Sequence, residues 1–276
     1  MNRKTIKALL AIACAGAAVF AQAKPPQPKS KKEAEALMAI QNAADVDSRI
    51  AAIENVLTKF ADTEYKPALL NMAAMLYQQK GDQEKMVIYA ERALQADPND
   101  YQAMIMLGQN LAAHTREFDL DKEDKLARAD KYANDALKAL QTAEKPNPSL
   151  TDEQWNEAKK GLVGQAHEIL GTAAMLRKKY DVAVNEYKAA ADAEAPNVEP
   201  ATLVRLAAAQ NQAGKPDEAL ATIDKVMATP NLDARIRSVA QAEKARAAQI
   251  KSGGSKPASS PGAAPATPQP EPVNKP

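Results

Sequence analysis

Residues 167–196, HEILGTAAMLRKKYDVAVNEYKAAADAEAP, constrain this chain more than any other stretch. Leu170-Gly171, Tyr180, Ala183, Tyr187, Ala190 and Pro196 are the small, aromatic and breaking residues of two helices joined by a tight turn. The order returns with drift at 65–98, where Leu70, Ala73, Ala74 and Tyr77 precede Gly81-Asp82 and Met86, Ala90, Ala93 and Leu94 follow it, and again at 199–230. A helix pair of this size cannot cover its own apolar face, so each pair must pack on the next. Close approach needs little volume at the crossings, which Gly108, Gly171, Ala74, Ala93, Ala136, Ala183 and Ala190 supply. Aromatics are only 4% of the chain, so the cores are built from Ala, Leu, Ile, Val and Met.

Ahead of the repeats, Arg3, Lys4 and Lys7 precede an apolar run from Ala8 to Phe20 and the small-x-small end Ala21-Gln22-Ala23, which reads as a signal peptide over 1–23 cleaved after Ala23. The apolar run is short for a spanning helix. A second reading takes Ala11-Ile12-Ala13-Cys14 as a lipoprotein box, with Ala where such boxes favour Leu and Cys14 as the lipidated residue. Cys14 is the chain's one cysteine, so a protein cleaved after Ala23 has no thiol for a disulfide, metal or nucleophile. Residues 24–32, rich in Pro and Lys, read as a flexible linker, 33–251 as the helical domain, and 252–276 as a disordered Pro/Ala/Ser-rich tail.

Within the domain, Asp45 or Asp47 can cap a helix over 50–60, Asp82 another, and Thr151-x-x-Gln154 forms a capping box before a long helix opened by Trp155. Between His114 and Ala127 the third unit carries roughly nine extra residues, placed at a turn where they leave the stack intact. Val56, Ala93, Ala136, Ala190 and Val226, taken as equivalent, stand about 37, 43, 54 and 36 residues apart. The two long gaps hold that insertion and the Lys145-Pro146-Asn147-Pro148 break. Residues 233–251 read as a capping helix.

The period and the Leu-Gly…Tyr…Ala…Tyr…Pro order resemble the tetratricopeptide repeat (TPR). The resemblance implies an all-α fold, a right-handed TPR-like superhelical solenoid of about five helix pairs plus a C-terminal capping helix. It also implies a non-enzymatic scaffold that binds a peptide or helix of another protein in its concave groove. Carried onto this sequence, the groove positions are Asn71, Met75, Gln78, Gln102, Gln109, Gln165, Glu168, Thr172, Thr202, Asn211 and Gln212, an amide and methionine surface. The alternative is a lipid-anchored structural component of an envelope assembly. No unit carries the family's tryptophan in its expected slot, where Leu70, Met104 and His167 stand.

Nothing in the residues adds up to catalysis, a metal site or a cofactor. Asp119, Asp121, Glu123 and Asp124 alternate as calcium ligands do, but Asp124 stands where such a loop needs glycine and Asp130 where it needs glutamate. His114 and His167 have no second ligand at metal spacing. The formal charge is +1, or about −2 without the leader, which disfavours nucleic acid and leaves a membrane only to a chain lipidated at Cys14. The expected location is periplasmic or secreted, or the outer membrane for the lipidated form.

Overall fold

The computed structural model describes residues 26–146 and 149–253, which form eleven α-helices and, among the described residues, no strand. Five successive pairs are α1 (Lys31–Gln41) with α2 (Val46–Lys59), α3 (Lys66–Gln79) with α4 (Gln83–Ala96), α5 (Tyr101–His114) with α6 (Lys122–Thr142), α7 (Asp152–Leu176) with α8 (Tyr180–Glu194), and α9 (Pro200–Gln212) with α10 (Pro216–Met227). The cap is α11 (Ala234–Lys251). Each pair packs internally and on its successor, and α11 closes on both α9 and α10. The expected solenoid of five pairs and a cap is the architecture observed.

Polar side chains fix where the helices start. The carboxylates of Asp45, Asp82 and Asp100 accept the amides of Ser48, Lys85 and Ala103 at the openings of α2, α4 and α5. Thr151 and Gln154 satisfy each other's backbone amides in a full capping box at α7. Pro67, Pro200 and Pro216 sit in the first turns of α3, α9 and α10, where a missing amide costs nothing.

Three of the first helices end identically. The amides of Asp82, Lys179 and Lys215 bond back to the carbonyls of Tyr77, Ala174 and Gln210 at 2.8–2.9 Å, and the residue before each stands in the left-handed region: Gly81 (φ 76°), Lys178 (φ 60°) and Gly214 (φ 74°). Helix α5 ends otherwise. Thr115 bonds its hydroxyl to the Leu111 carbonyl at 2.6 Å, and the chain runs through residues 115–121 before α6. The expected insertion is therefore divided between this loop and the first turns of a lengthened α6.

Small residues act where helices cross. A side chain at Gly171 would stand 2.8 Å from the Tyr187 ring, and one at Gly108 would stand 3.0 Å from Ile169. Ala73, Ala90, Ala133, Ala183, Ala207 and Ala219 are fully buried. One apolar cluster runs continuously from α1 to α5 and closes over Glu54, whose carboxylate accepts the hydroxyls of Tyr77 at 3.0 Å and Tyr89 at 2.6 Å. Burial and this carboxylate together hold both tyrosine hydroxyls above their ordinary range.

Charges pair successive units in a fixed register. The second residue of α2, α6, α8 and α10 is Asp47, Glu123, Asp181 and Asp217; each meets a cation at the end of the next unit's first helix or just past it, namely Lys80, Arg177, Lys215 and Lys251. Acids at helix starts and bases at helix ends also suit the helix dipoles.

The start of the chain departs from expectation. The composition predicts a flexible linker through residue 32, but α1 begins at Lys31, capped by Ser30. The Tyr65 hydroxyl donates to the Pro26 carbonyl at 2.8 Å, and the Lys29 ammonium meets the Asp62 carboxylate at 3.0 Å. Polar groups of the α2–α3 turn thus hold residues 26–30 against the domain. The leader with Cys14, residues 147–148 of the Pro-rich break and residues 254–276 of the tail lie outside the described residues.

Candidate functional site: the face of the first helices

The residues expected to reach a partner divide into two sets. In α3 the exposed positions are Ala68, Met72, Met75 and Gln79, four and three residues apart, which places them on one stripe. Met75 is 57% exposed, and Met38 of α1 is 58% exposed. Gln78 is half-buried beside the stripe, and Gln102 is exposed at the start of α5.

The other expected contacts are paired within the molecule, some buried and some half-buried. Asn71 is buried and donates its amide to Asp100, the cap of α5. Gln109 donates to Gln165 across α5 and α7 at 3.2 Å. The Glu168 carboxylate accepts the buried Thr202 hydroxyl at 2.8 Å and the Arg205 guanidinium, joining α7 to α9. Asn211 donates to the Glu243 carboxylate of α11 at 2.8 Å. Thr172 bonds the Glu168 carbonyl and the Tyr187 hydroxyl. Thr202, Asn211 and Gln212 are all at least nine-tenths buried. The pairing has a physical reason: between closely stacked helices a buried polar side chain must find a partner, and a neighbouring helix offers one.

Burial also shifts the acidities along this seam. Asp100 and Glu194 are each held above the ordinary carboxylate range, chiefly because burial disfavours the charged form. The Tyr187 hydroxyl is pushed up to about 12 by burial. Sequence reasoning missed Glu194, Arg205 and Glu243. The available signal was the glycine pair Gly161 and Gly164 within α7, unusual in a helix interior.

The α5–α6 loop leaves Phe118 91% exposed and Leu120 fully exposed, while Glu117 is held by Lys178, and Asp119 by Lys125 at 3.0 Å and by the Arg116 amide. The Lys125 ammonium lies between Asp119 and Asp121 at 3.0 and 2.9 Å, in the middle of the calcium-like acidic pattern. His167 pairs with Glu186 at 2.8 Å, and the His114 ring bonds the Asn110 carbonyl. Among the described residues, no group of three His, Cys, Asp or Glu side chains is placed to hold a metal, and no helix is long and apolar enough to cross a membrane.

Residues 67–100, the α3–α4 pair up to the Asp100 cap of α5, match the tetratricopeptide repeat family. Among solved structures, a thermophilic TPR protein of Thermus thermophilus superposes with a TM-score of 0.52 at 19% identity, covering 76% of this chain and 98% of its own. A tetratricopeptide repeat protein of Parabacteroides merdae gives 0.41 at 16% identity, covering 81% and 92%. An assembly chaperone of RpL4 gives 0.43 at 12% identity, covering 82% and 99%. No protein of curated function matches the chain.

Proposed function

We propose that this tetratricopeptide-repeat protein is a non-enzymatic scaffold that binds a peptide or helix of another protein along the face of its first helices, with Met72 and Met75 as apolar anchors. A TPR-like superhelix is typically an interaction scaffold. The observation that carries the finer reading is the stripe Ala68, Met72, Met75 and Gln79. It leaves two methionines of one helix in water, whereas α5, the first helix of the next pair, buries both Met104 and Met106. Covering an exposed methionine is worth about 1.5–3 kcal/mol, and its flexible thioether suits varied apolar side chains. Gln78, Gln79 and Gln102 can pair with a peptide backbone as donors or acceptors.

A photo-crosslinking residue at position 75 tests this. It should capture a discrete partner, whereas the same residue in place of Ile88, exposed on α4, should not. Equal capture from both positions, or from neither, overturns the reading. The reading of residues 1–23 as a signal peptide supports a periplasmic or secreted scaffold and predicts a mature protein that begins at Lys24; an N-terminus at Cys14 bearing lipid would favour the envelope-anchored alternative.

A further inference from the structure

A cavity of about 400 Å³ opens between α7, the α8–α9 connection and α9, on the same first-helix face. Its walls carry four carboxylates, Glu157, Glu168, Glu194 and Glu199, against two cations, Lys160 and Arg205. Both cations are already engaged, Arg205 on Glu168 and Lys160 on Glu157 at 3.4 Å. We infer that this cavity receives the ammonium or guanidinium group of a lysine or arginine carried by the partner segment. The inference rests on the scaffold reading and gives the bound segment a chemistry: apolar where it crosses α3, basic where it crosses α7 and α9.

Two observations support the sign, and a third bears on the space. Glu194 is only 8% exposed, yet its carboxylate holds a single close hydrogen bond, the Glu199 amide at 3.0 Å, with the Thr202 hydroxyl 3.5 Å away. Its carboxyl is held high by burial first, with the Glu168 and Glu199 charges adding to the effect. A cation entering here relieves that crowding, whereas an anion adds to it.

Gly161 supplies the third observation. A glycine inside a helix costs about 1 kcal/mol relative to alanine. At Gly164 the cost has a packing reason, since a side chain there would stand 2.6 Å from the Glu194 carboxylate. At Gly161 nothing lies within 4 Å of where a side chain would begin. Neither packing nor a left-handed backbone explains this glycine, but it lines the cavity, where its missing side chain keeps space open. Lysine and arginine can reach such a space while their backbone stays at the surface, because their apolar stems lie along the walls.

The test titrates the isotope-labelled protein with blocked tripeptides Ala-X-Ala, X being lysine, arginine, norleucine or glutamate, and follows the Gly161 and Gly164 amides by NMR. Lysine and arginine peptides should give saturable shifts, norleucine and glutamate none. Binding should weaken about threefold or more in Glu199→Gln, at the exposed rim, and in high salt. Gly161→Ala should weaken it too while leaving the fold at least as stable. Shifts of equal size from norleucine, or no saturable shift from lysine, overturn the inference. If lysine fails while crosslinking at position 75 persists, only the basic-residue assignment falls. If lysine saturates but position 75 captures nothing, the scaffold reading falls.

Discussion

Helices α3 and α9 occupy the same slot in their repeats, yet α3 keeps an exposed stripe and α9 has no exposed residue. Helix α9 is enclosed because α11 packs across it and because Thr202 and Arg205 are tied to Glu168 and Asn211 to Glu243. Helix α3 ties Asn71 forward to Asp100 and Tyr77 back to Glu54, while Met72, Met75 and Gln79 stay exposed. A repeat position is therefore not intrinsically a ligand contact. Whatever stacks on it next decides whether it seals the solenoid or serves as surface.

If that contrast is right, the two ends should answer substitution differently. Glu168→Ala strips the partner from the buried Thr202 hydroxyl and from Arg205, and should cost about 2–3 kcal/mol in urea unfolding. A loss below about 0.5 kcal/mol would mean the C-terminal seam is not held by its hydrogen bonds. Arg177→Ala should cost about 1–2 kcal/mol, because it leaves the half-buried Asp130 without its 2.7 Å partner. Gly214→Ala forces a side chain into the left-handed region and should cost about 1 kcal/mol. Met75→Ala, by contrast, should change stability by no more than about 0.5 kcal/mol while abolishing partner capture.

The seam should also respond to pH. Asp100, Asp130 and Glu194 have folded-state carboxyls held above their unfolded values, chiefly by burial. The folded state therefore binds more protons through that interval, and their contribution is present below the ordinary carboxylate range and lost as pH rises through the raised values. Thermal unfolding should show stability gained on mild acidification from neutrality, and Glu194→Gln should shrink that gain. A pH profile unchanged by Glu194→Gln would contradict the assignment.

Much of the fold was legible because its causes are local. Gly81, Asp82, Thr151, Gln154 and Pro216 specify turns and caps within a few residues, and Leu170-Gly171 with Tyr187 marks a crossing that the structure shows in contact. The site was less legible because its partners are distant in sequence. Nothing near Asn71 announces Asp100, 29 residues on, and nothing near Glu168 announces Arg205, 37 residues on. The period fixes which helix face a residue lies on, but not whether the next helix covers it. The insertion shows the same limit: its place after His114 could be read, while its division between a loop and a longer α6 depended on packing against α7.

On the proposed function, the methionine stripe of α3 is the surface left open for a partner. Methyl-labelled methionine in the intact protein, with the partner captured at position 75 added, tests it most directly. The Met72 and Met75 methyl signals should move or broaden on binding, while buried Met86 and Met104 stay in place. If the partner binds and Met72 and Met75 do not respond, or if all methionines respond alike, the account is contradicted.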